Sequence, residues 1–373
     1  MNEQYTSLGL MSGTSGDGVD ASIIQSNGET NFEVIKDKFY EYDSNIYQNI
    51  HRLKEKIHTR NDLNTLAKEL KGLERMITLF HARVVEEMKS DKQIDIVGFH
   101  GQTIYHNSQE RISNQLGDGK LLSQLTKKNI IFNFRQNDIK NGGEGAPLTP
   151  IFHQLIATQL KIDLPTCILN IGGISNISII GGPTGTYGFT SRDIGPGNCL
   201  IDSWVRKNSK YKYDKDGILA SLGKRNEIIF EQAQELFANR TNQNTLSFDT
   251  NDFDVSFARG LSLEDGAATL TDFTASVIGS AIFSLLSNTR DKFWKVIVCG
   301  GGRKNNFLIE KIKKNTLKNI IIQPIDDYGV DGDFVESQAF AFLAIRSLLK
   351  LPISFPKTTG CTKPCSGGEL VKI

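Results

Sequence analysis

One pattern occurs twice in this chain and limits what it can fold into: an apolar run, a glycine-rich polar turn, and a second apolar run. It first appears as Leu8–Met11, the turn within MSGTSGDGVD (residues 11–20), and Val19–Gln25. It returns as Thr166–Asn170, the turn of Ile171-Gly-Gly-Ile-Ser-Asn176, and Ile177–Ile180. Both have the form of a β-hairpin. A third glycine site differs: the strand Val296–Cys299 leads through Gly300-Gly301-Gly302 into a helix over Asn306–Lys314. Two matching hairpins in separate halves point to two similar α/β units able to hold one nucleoside triphosphate between them. The triple-glycine turn suits the adenosine and ribose end, where backbone must come close to a flat ligand.

Taken alone, the first turn has two readings. Asp-Gly between apolar runs is a hairpin signal, because glycine supplies the positive φ that the turn needs. The same residues also suit a phosphate cradle, with backbone amides approaching closely and hydroxyls adding donors. It is not a Walker A loop, since no Gly-Lys-Ser/Thr is present.

The chain has 373 residues, enough for two domains with separate cores. Its 43 basic and 42 acidic side chains leave a net charge of +1, so bulk electrostatics give no reason to expect a nucleic-acid partner or an anionic membrane. The reading finds no apolar run of membrane-spanning length and no signal peptide, and a cytoplasmic protein is expected. Of the five cysteines, Cys361 and Cys365 have the spacing of half a metal site, but no second Cys/His pair stands near; neither zinc nor a disulfide is expected.

Strands are expected at Phe32–Tyr42, Ile94–Gly98 and Ile130–Phe134, and helices at Asn61–Lys89, Ile151–Leu160 and Glu336–Lys350. The segment Phe99-His-Gly-Gln-Thr103 is expected as a polar loop after its strand, where α/β proteins put ligands. Gly142-Gly-Glu-Gly-Ala-Pro147 marks a domain boundary.

This arrangement resembles the actin, Hsp70 and sugar-kinase superfamily. Within it, GLMSGTSGDGVD (9–20), HGQT (100–103), GGEGAP (142–147), NIGGISN (170–176), DIGPGN (193–198), ATLT (268–271), GGG (300–302) and Glu336–Ala344 are similar, in order, to the signatures of the anhydro-N-acetylmuramic acid kinase family. The resemblance implies an α/β fold of two ribonuclease-H-like, actin-like ATPase domains around a central ATP cleft. Residues 1–145, joined by 346–373, would form one domain and 146–345 the other. It implies a cytoplasmic ATP- and Mg²⁺-dependent kinase that opens the 1,6-anhydro bridge of a small sugar with water and phosphorylates O6, in peptidoglycan recycling. No nucleic-acid or membrane partner is implied, and a homodimer stays open. Another sugar kinase on this scaffold and a nucleotide sensor without chemistry are the alternatives.

Asp193 is the leading catalytic candidate, a carboxylate to take the proton of the attacking water, although an Asp capping its own turn has the same sequence. Glu336 opens the last helix; it complements the helix dipole and, by the resemblance, faces the sugar or the water. Gly13, Thr14, Ser15, Gly16, Asp17, Gly18, Val19 and Asp20 would line the first phosphate turn. Asp17 is the candidate for the Mg²⁺ water shell, and Asp20 is the more structural of the two. Gly172, Gly173 and Asn176 would form the second phosphate hairpin, with Gly300, Gly301 and Asn305 near adenosine. His100, Gln102 and Thr103 are candidates for the sugar, against a structural role for the histidine. Arg135 would pair with the lactyl carboxylate or form a domain-interface salt bridge. The chain departs from the family at Gly16, where relatives carry a bulky apolar residue, in the segment 246–252, and in the tail Cys361–Gly368.

Overall fold

A computed structural model describes residues 3–181, 188–241, 247–286 and 294–373. The chain forms two compact units: the first runs to Ile162 and resumes at Asp333, and the second is Asp163–Gly332.

The first unit begins with a meander of β1 (Tyr5–Ser12), β2 (Gly18–Ser26) and β3 (Phe32–Glu41), antiparallel throughout. The chain then covers one face with the helices Ser44–Lys54 and Ala67–Glu87 before β4 (Ile96–Asn107), which returns parallel to β1. β5 (Ile112–Leu116) pairs with the far end of β4, and β6 (Ile130–Phe132) lies parallel to its near end. The second unit repeats this plan with β7 (Thr166–Ile171), β8 (Ile174–Ile180), β9 (Phe189–Pro196), β10 (Trp294–Cys299) and β11 (Ile320–Pro324). The chain finishes in the first sheet with β12 (Glu369–Val371). The strand orders are β3-β2-β1-β4-β6-β12 and β9-β8-β7-β10-β11. In each, an antiparallel meander is extended by parallel strands beside its first member, which is the ribonuclease-H-like plan in both units.

Alternation along β1 explains how the first unit is layered. Leu8 and Leu10 point into a core with Ile50, Leu53, Leu73, Ile77 and Phe99. Gly9, between them, faces the last helix, Val335–Leu348. A Cβ on Gly9 would lie 2.0 Å from the Ser337 carbonyl oxygen and 2.5 Å from the Ala341 nitrogen, so only glycine admits the helix this close. Phe340, Leu343 and Ile345 of that helix fill the second core layer with Ile96, Ile131 and Phe134. The helix Pro150–Gln159 joins this layer through Phe152, whose ring lies 5.5 Å from Phe342 and 4.9 Å from Phe32.

The compact units therefore divide at 162/163 and 332/333, away from the sequence boundaries at 145 and 345; the helices 150–159 and 335–348 pack with the first sheet. The expected helix 61–89 is two helices, Arg60–Thr65 and Ala67–Glu87, with Leu66 outside helical geometry between them. The segment 99–103 is not a loop: β4 continues through it because β5 offers a partner from Gln102 onward. In the second unit the long helix Leu263–Leu286 was not anticipated. Contrary to the sequence expectation, it is long and apolar enough to suit a membrane span; 72% of its most apolar window is buried inside the unit. Ala275, Ile278 and Ile282 pack on the sheet, and Leu270 and Phe273 pack with Trp204 and Phe230.

Candidate active site

In the first unit, the turn between β1 and β2 has the carbonyl groups of Gly13, Thr14 and Asp17 tied back to the protein. Gly13 O accepts from Gly16 N (3.1 Å) and from Gln102 Nε2 (2.9 Å). Thr14 O accepts from Lys54 Nζ (2.9 Å), and Asp17 O from Tyr42 N (2.8 Å). Among the described residues, the backbone amides of Thr14, Ser15 and Asp17 have no acceptor. Ser15 Oγ donates to Asp17 Oδ1, so this hydroxyl is engaged within the turn. Gly16 (φ +67°) packs against Ile50. Gly18 lies beneath the Phe39 ring and gives its carbonyl to Ser12 Oγ (2.8 Å). Val19 is fully buried in the core, so it can serve a ligand only through its backbone. Asp20 is paired in the sheet between Met11 and Phe39.

Gln102 is fully buried. Its Oε1 accepts from Ser12 Oγ (2.9 Å) while its Nε2 holds Gly13 O, and Ser12 Oγ also bonds the Tyr42 hydroxyl (2.7 Å). Burial pushes the Tyr42 hydroxyl well above the ordinary tyrosine range, with Asp17 adding to the shift and the Ser12 bond opposing it. The glutamine expected at the sugar is thus built into the base of the Gly13–Asp17 turn.

His100 is buried against the Phe340 ring (4.5 Å). Its Nδ1 meets the Gly101 carbonyl (2.8 Å), and its Nε2 meets Arg135 Nη2 (3.0 Å) and Nε (3.3 Å). A carbonyl only accepts and a guanidinium only donates, so the imidazole is the neutral Nδ1–H tautomer. Burial, then the Arg135 charge, hold its pKa well below the ordinary histidine value. Arg135 Nη1 also reaches Gly145 O (3.5 Å) in the glycine corner. Thr103 is buried, and its hydroxyl accepts from Gln115 Nε2 (3.3 Å). Glu336 stands half-buried in the first turn of the last helix. Ser337 and Gln338 fix that turn: Ser337 Oγ bonds Ser22 Oγ (2.6 Å), and Gln338 Nε2 donates to Asp37 Oδ2 (2.9 Å).

In the second unit, Asp193 lies on β9 opposite Asn176 on β8, beside a register shift between Ser175 and Asn176. Bulges of this kind re-aim side chains next to active sites. Asp193 is buried, and its Oδ2 accepts from the Phe248 amide (2.9 Å). The strand carrying Asp193 runs to Pro196, and the residues after it bind the second glycine turn. Gly197 N donates to Gly173 O (2.9 Å) and Asn198 N to Gly172 O (2.8 Å). The triple-glycine turn follows β10, parallel to β7, and packs on the same hairpin. Gly300 has φ +80°, and a Cβ there would sit 2.3 Å from Asn170 Oδ1 and 2.7 Å from Ile171 O. Space around Gly301 is open. Asn305 caps the helix Asn306–Lys314, its Oδ1 accepting from Leu308 N (2.9 Å), which commits the side chain expected near adenosine. Arg303 steadies the turn through Gly300 O (3.2 Å) and a two-point contact with Asp326 (2.7 and 2.8 Å).

The structure thus brings Gly13–Asp17 and Gln102 together in one unit, with His100 and Arg135 paired in the same unit. In the other it joins Gly172, Gly173 and Gly300, with Asp193 on the adjoining hairpin. Lys54, Arg303 and the Phe248 amide were not identified from sequence. Lys54 had no motif around it, Arg303 follows the triple-glycine turn but was not singled out, and a backbone amide leaves no sequence signature. Of the divergent segment 246–252, Leu246 lies outside the described residues.

A family model for anhydro-N-acetylmuramic acid kinase matches residues 5–372. The chain is 56% identical over 374 residues to the anhydro-N-acetylmuramic acid kinase of Pelagibacter ubique (strain HTCC1062), covering 100% of both chains. It is 36% identical over 372 residues to that of Zymomonas mobilis subsp. mobilis (strain ATCC 31821 / ZM4 / CP4), covering 97% of this chain and 98% of the relative. Among solved structures, gluconate kinase from Lactobacillus acidophilus is similar at 10% identity and TM-score 0.43, covering 93% of this chain and 90% of that one. The chain belongs to the anhydro-N-acetylmuramic acid kinase family.

Proposed function

We propose that this protein uses ATP to convert 1,6-anhydro-N-acetylmuramic acid and water into N-acetylmuramic acid 6-phosphate, in the cytoplasm and within peptidoglycan recycling. The observation that carries the nucleotide reading is the turn Gly13–Asp17: the carbonyls of Gly13, Thr14 and Asp17 are held by the protein, while the amides of Thr14, Ser15 and Asp17 keep their hydrogens for another acceptor. Such outward amides suit phosphate oxygens. Gly172, Gly173 and Gly301 would let the backbone approach the nucleotide, and Asn176 would add a side-chain contact. Asp17 would hold the water shell of Mg²⁺, which when bound neutralises charge on the phosphates.

Asp193 takes a proton from water as the water oxygen bonds to C1 of the sugar. The C1–O6 bond breaks, and O6 receives the γ-phosphoryl group of ATP, releasing ADP. Glu336 orients the sugar or the water. Arg135, steadied by His100, meets the lactyl carboxylate through the planar fork that suits such groups. A coupled ADP-release assay over a sugar panel tests the assignment. Turnover is expected with the anhydro-sugar and not with sugars lacking the internal bridge; equal turnover with gluconate or glucose would overturn it.

A further inference from the structure

The segment that departs from the family pattern lies against Asp193. Phe248 N donates to Asp193 Oδ2 at 2.9 Å. The Phe248 ring belongs to an aromatic group on the same unit, 5.7 Å from Phe253 and 6.4 Å from Phe237. Phe237 in turn stacks on Phe253 (6.2 Å) and meets Phe273 of the long helix edge-on (6.0 Å). Past Phe248 the chain closes its own turn, with Asp249 N on Asp252 Oδ2 (2.7 Å) and Asp252 N on Asp249 O (3.0 Å). The amide is thereby held from both sides, by a packed ring and by a closed turn.

We infer that Phe248 is a positioning residue for Asp193: its ring, held by Phe237 and Phe253, keeps its backbone amide on Oδ2 and so fixes the plane of the carboxylate. The inference rests on the reading of Asp193 as the base. A carboxylate that must accept a proton from one water needs a fixed direction, because misplacement of a reacting group lowers the rate without weakening substrate binding. A donor on one oxygen supplies that direction. What reaches Asp193 from this position is the backbone amide; the Phe248 side chain acts only through its packing.

The test is a double-mutant cycle in the full chain with Phe248→Gly and Asp193→Asn, together with Phe248→Leu, reading kcat and both KM values. Phe248→Gly is expected to lower kcat about ten- to a hundredfold, the value of one hydrogen bond to a charged group, with both KM values within about twofold. Phe248→Leu, which keeps an apolar anchor, should recover most of the rate. In the Asp193→Asn background, Phe248→Gly should change the residual rate little, since the group it orients is gone. Equal losses in both backgrounds, or a loss confined to KM, would overturn the inference. Should the Gly variant not fold, Phe248→Ala carries the same comparison. An Asp193→Asn enzyme with parental turnover would instead remove the base itself, a result distinct from a silent Phe248→Gly beside an inactive Asp193→Asn.

Discussion

Arg135 and His100 are locked in one protonation state: the guanidinium donates to Nε2 at 3.0 Å while the opposite ring nitrogen donates to the Gly101 carbonyl at 2.8 Å. An imidazole in this pair cannot gain a proton without losing its contact with Arg135. The pair holds a guanidinium whose in-plane fork of N–H donors would suit a carboxylate. Arg135→Met is therefore expected to raise KM for the acidic anhydro-sugar about ten- to a hundredfold while leaving ATP affinity unchanged. With the lactyl group methylated, parent and variant should have similar KM values. A variant equally impaired on acid and ester would show that Arg135 does not meet the carboxylate.

Acid should unfold the first unit before the second. All six histidines lie in the first unit, and burial depresses His81 to about 4 and His106 and His153 to about 3, with Arg135 adding to the shift at His106; His100 is also well below its ordinary value. Each native state resists a proton that the unfolded chain takes up near pH 6.5. The contribution of these groups is fully present above pH 6.5 and is lost as pH falls toward the folded values. Each costs about 1.4 kcal/mol per pH unit across that window, and four together exceed a typical domain stability of about 5–15 kcal/mol within two to three units. Both tryptophans, Trp204 and Trp294, lie in the second unit. On acidification from pH 7 to 4, far-ultraviolet dichroism should fall before tryptophan emission shifts. Coincident transitions would count against this order.

The hairpins and the triple-glycine turn were legible because glycine and apolar alternation are local signals. The long helix Leu263–Leu286 was not, since it is apolar on most of its circumference and shows no amphipathic period. The domain boundaries missed for a related reason: the place of the last helix is decided by Gly9, more than three hundred residues away. Within the candidate site, Asp193 and the turn 13–17 stood out as motifs. Gln102 was expected at the sugar and Asn305 near adenosine, and the structure gives both an internal partner. Sequence names the donor and acceptor; only packing decides whether protein or ligand meets it.

Gly9→Ala tests the layer that joins the last helix to β1. The new methyl would fall 2.0 Å from Ser337 O and 2.5 Å from Ala341 N, both backbone atoms that cannot swing aside. The helix must shift, and with it Glu336. A loss of about 3 kcal/mol is expected, at the upper end of overpacking costs, with turnover falling as well. Thermal unfolding and kcat measured on the same preparation check this; a variant with parental Tm would show that the helix has room the contacts deny.

Gln102 separates two roles with opposite signatures. If it met the sugar, its replacement would raise sugar KM and leave ATP binding in the absence of sugar untouched. The structure has it fully buried, with Oε1 on Ser12 and Nε2 on Gly13 O, so its loss should act on the Gly13–Asp17 turn. Gln102→Leu leaves the Gly13 carbonyl with one donor fewer and removes an acceptor from Ser12. The turn then loses the geometry that directs its amides outward. Direct calorimetry of ATP·Mg²⁺ binding to the sugar-free enzyme should show affinity reduced about tenfold, the value of one or two neutral hydrogen bonds. Adenosine, which has no phosphates to meet the turn, should bind as it does to the parent. Gln102→Glu keeps the acceptor for Ser12 and replaces the donor with a charge facing a carbonyl, so its ATP affinity should fall at least as far. Parental ATP binding in both variants, with sugar KM raised, would return Gln102 to the sugar.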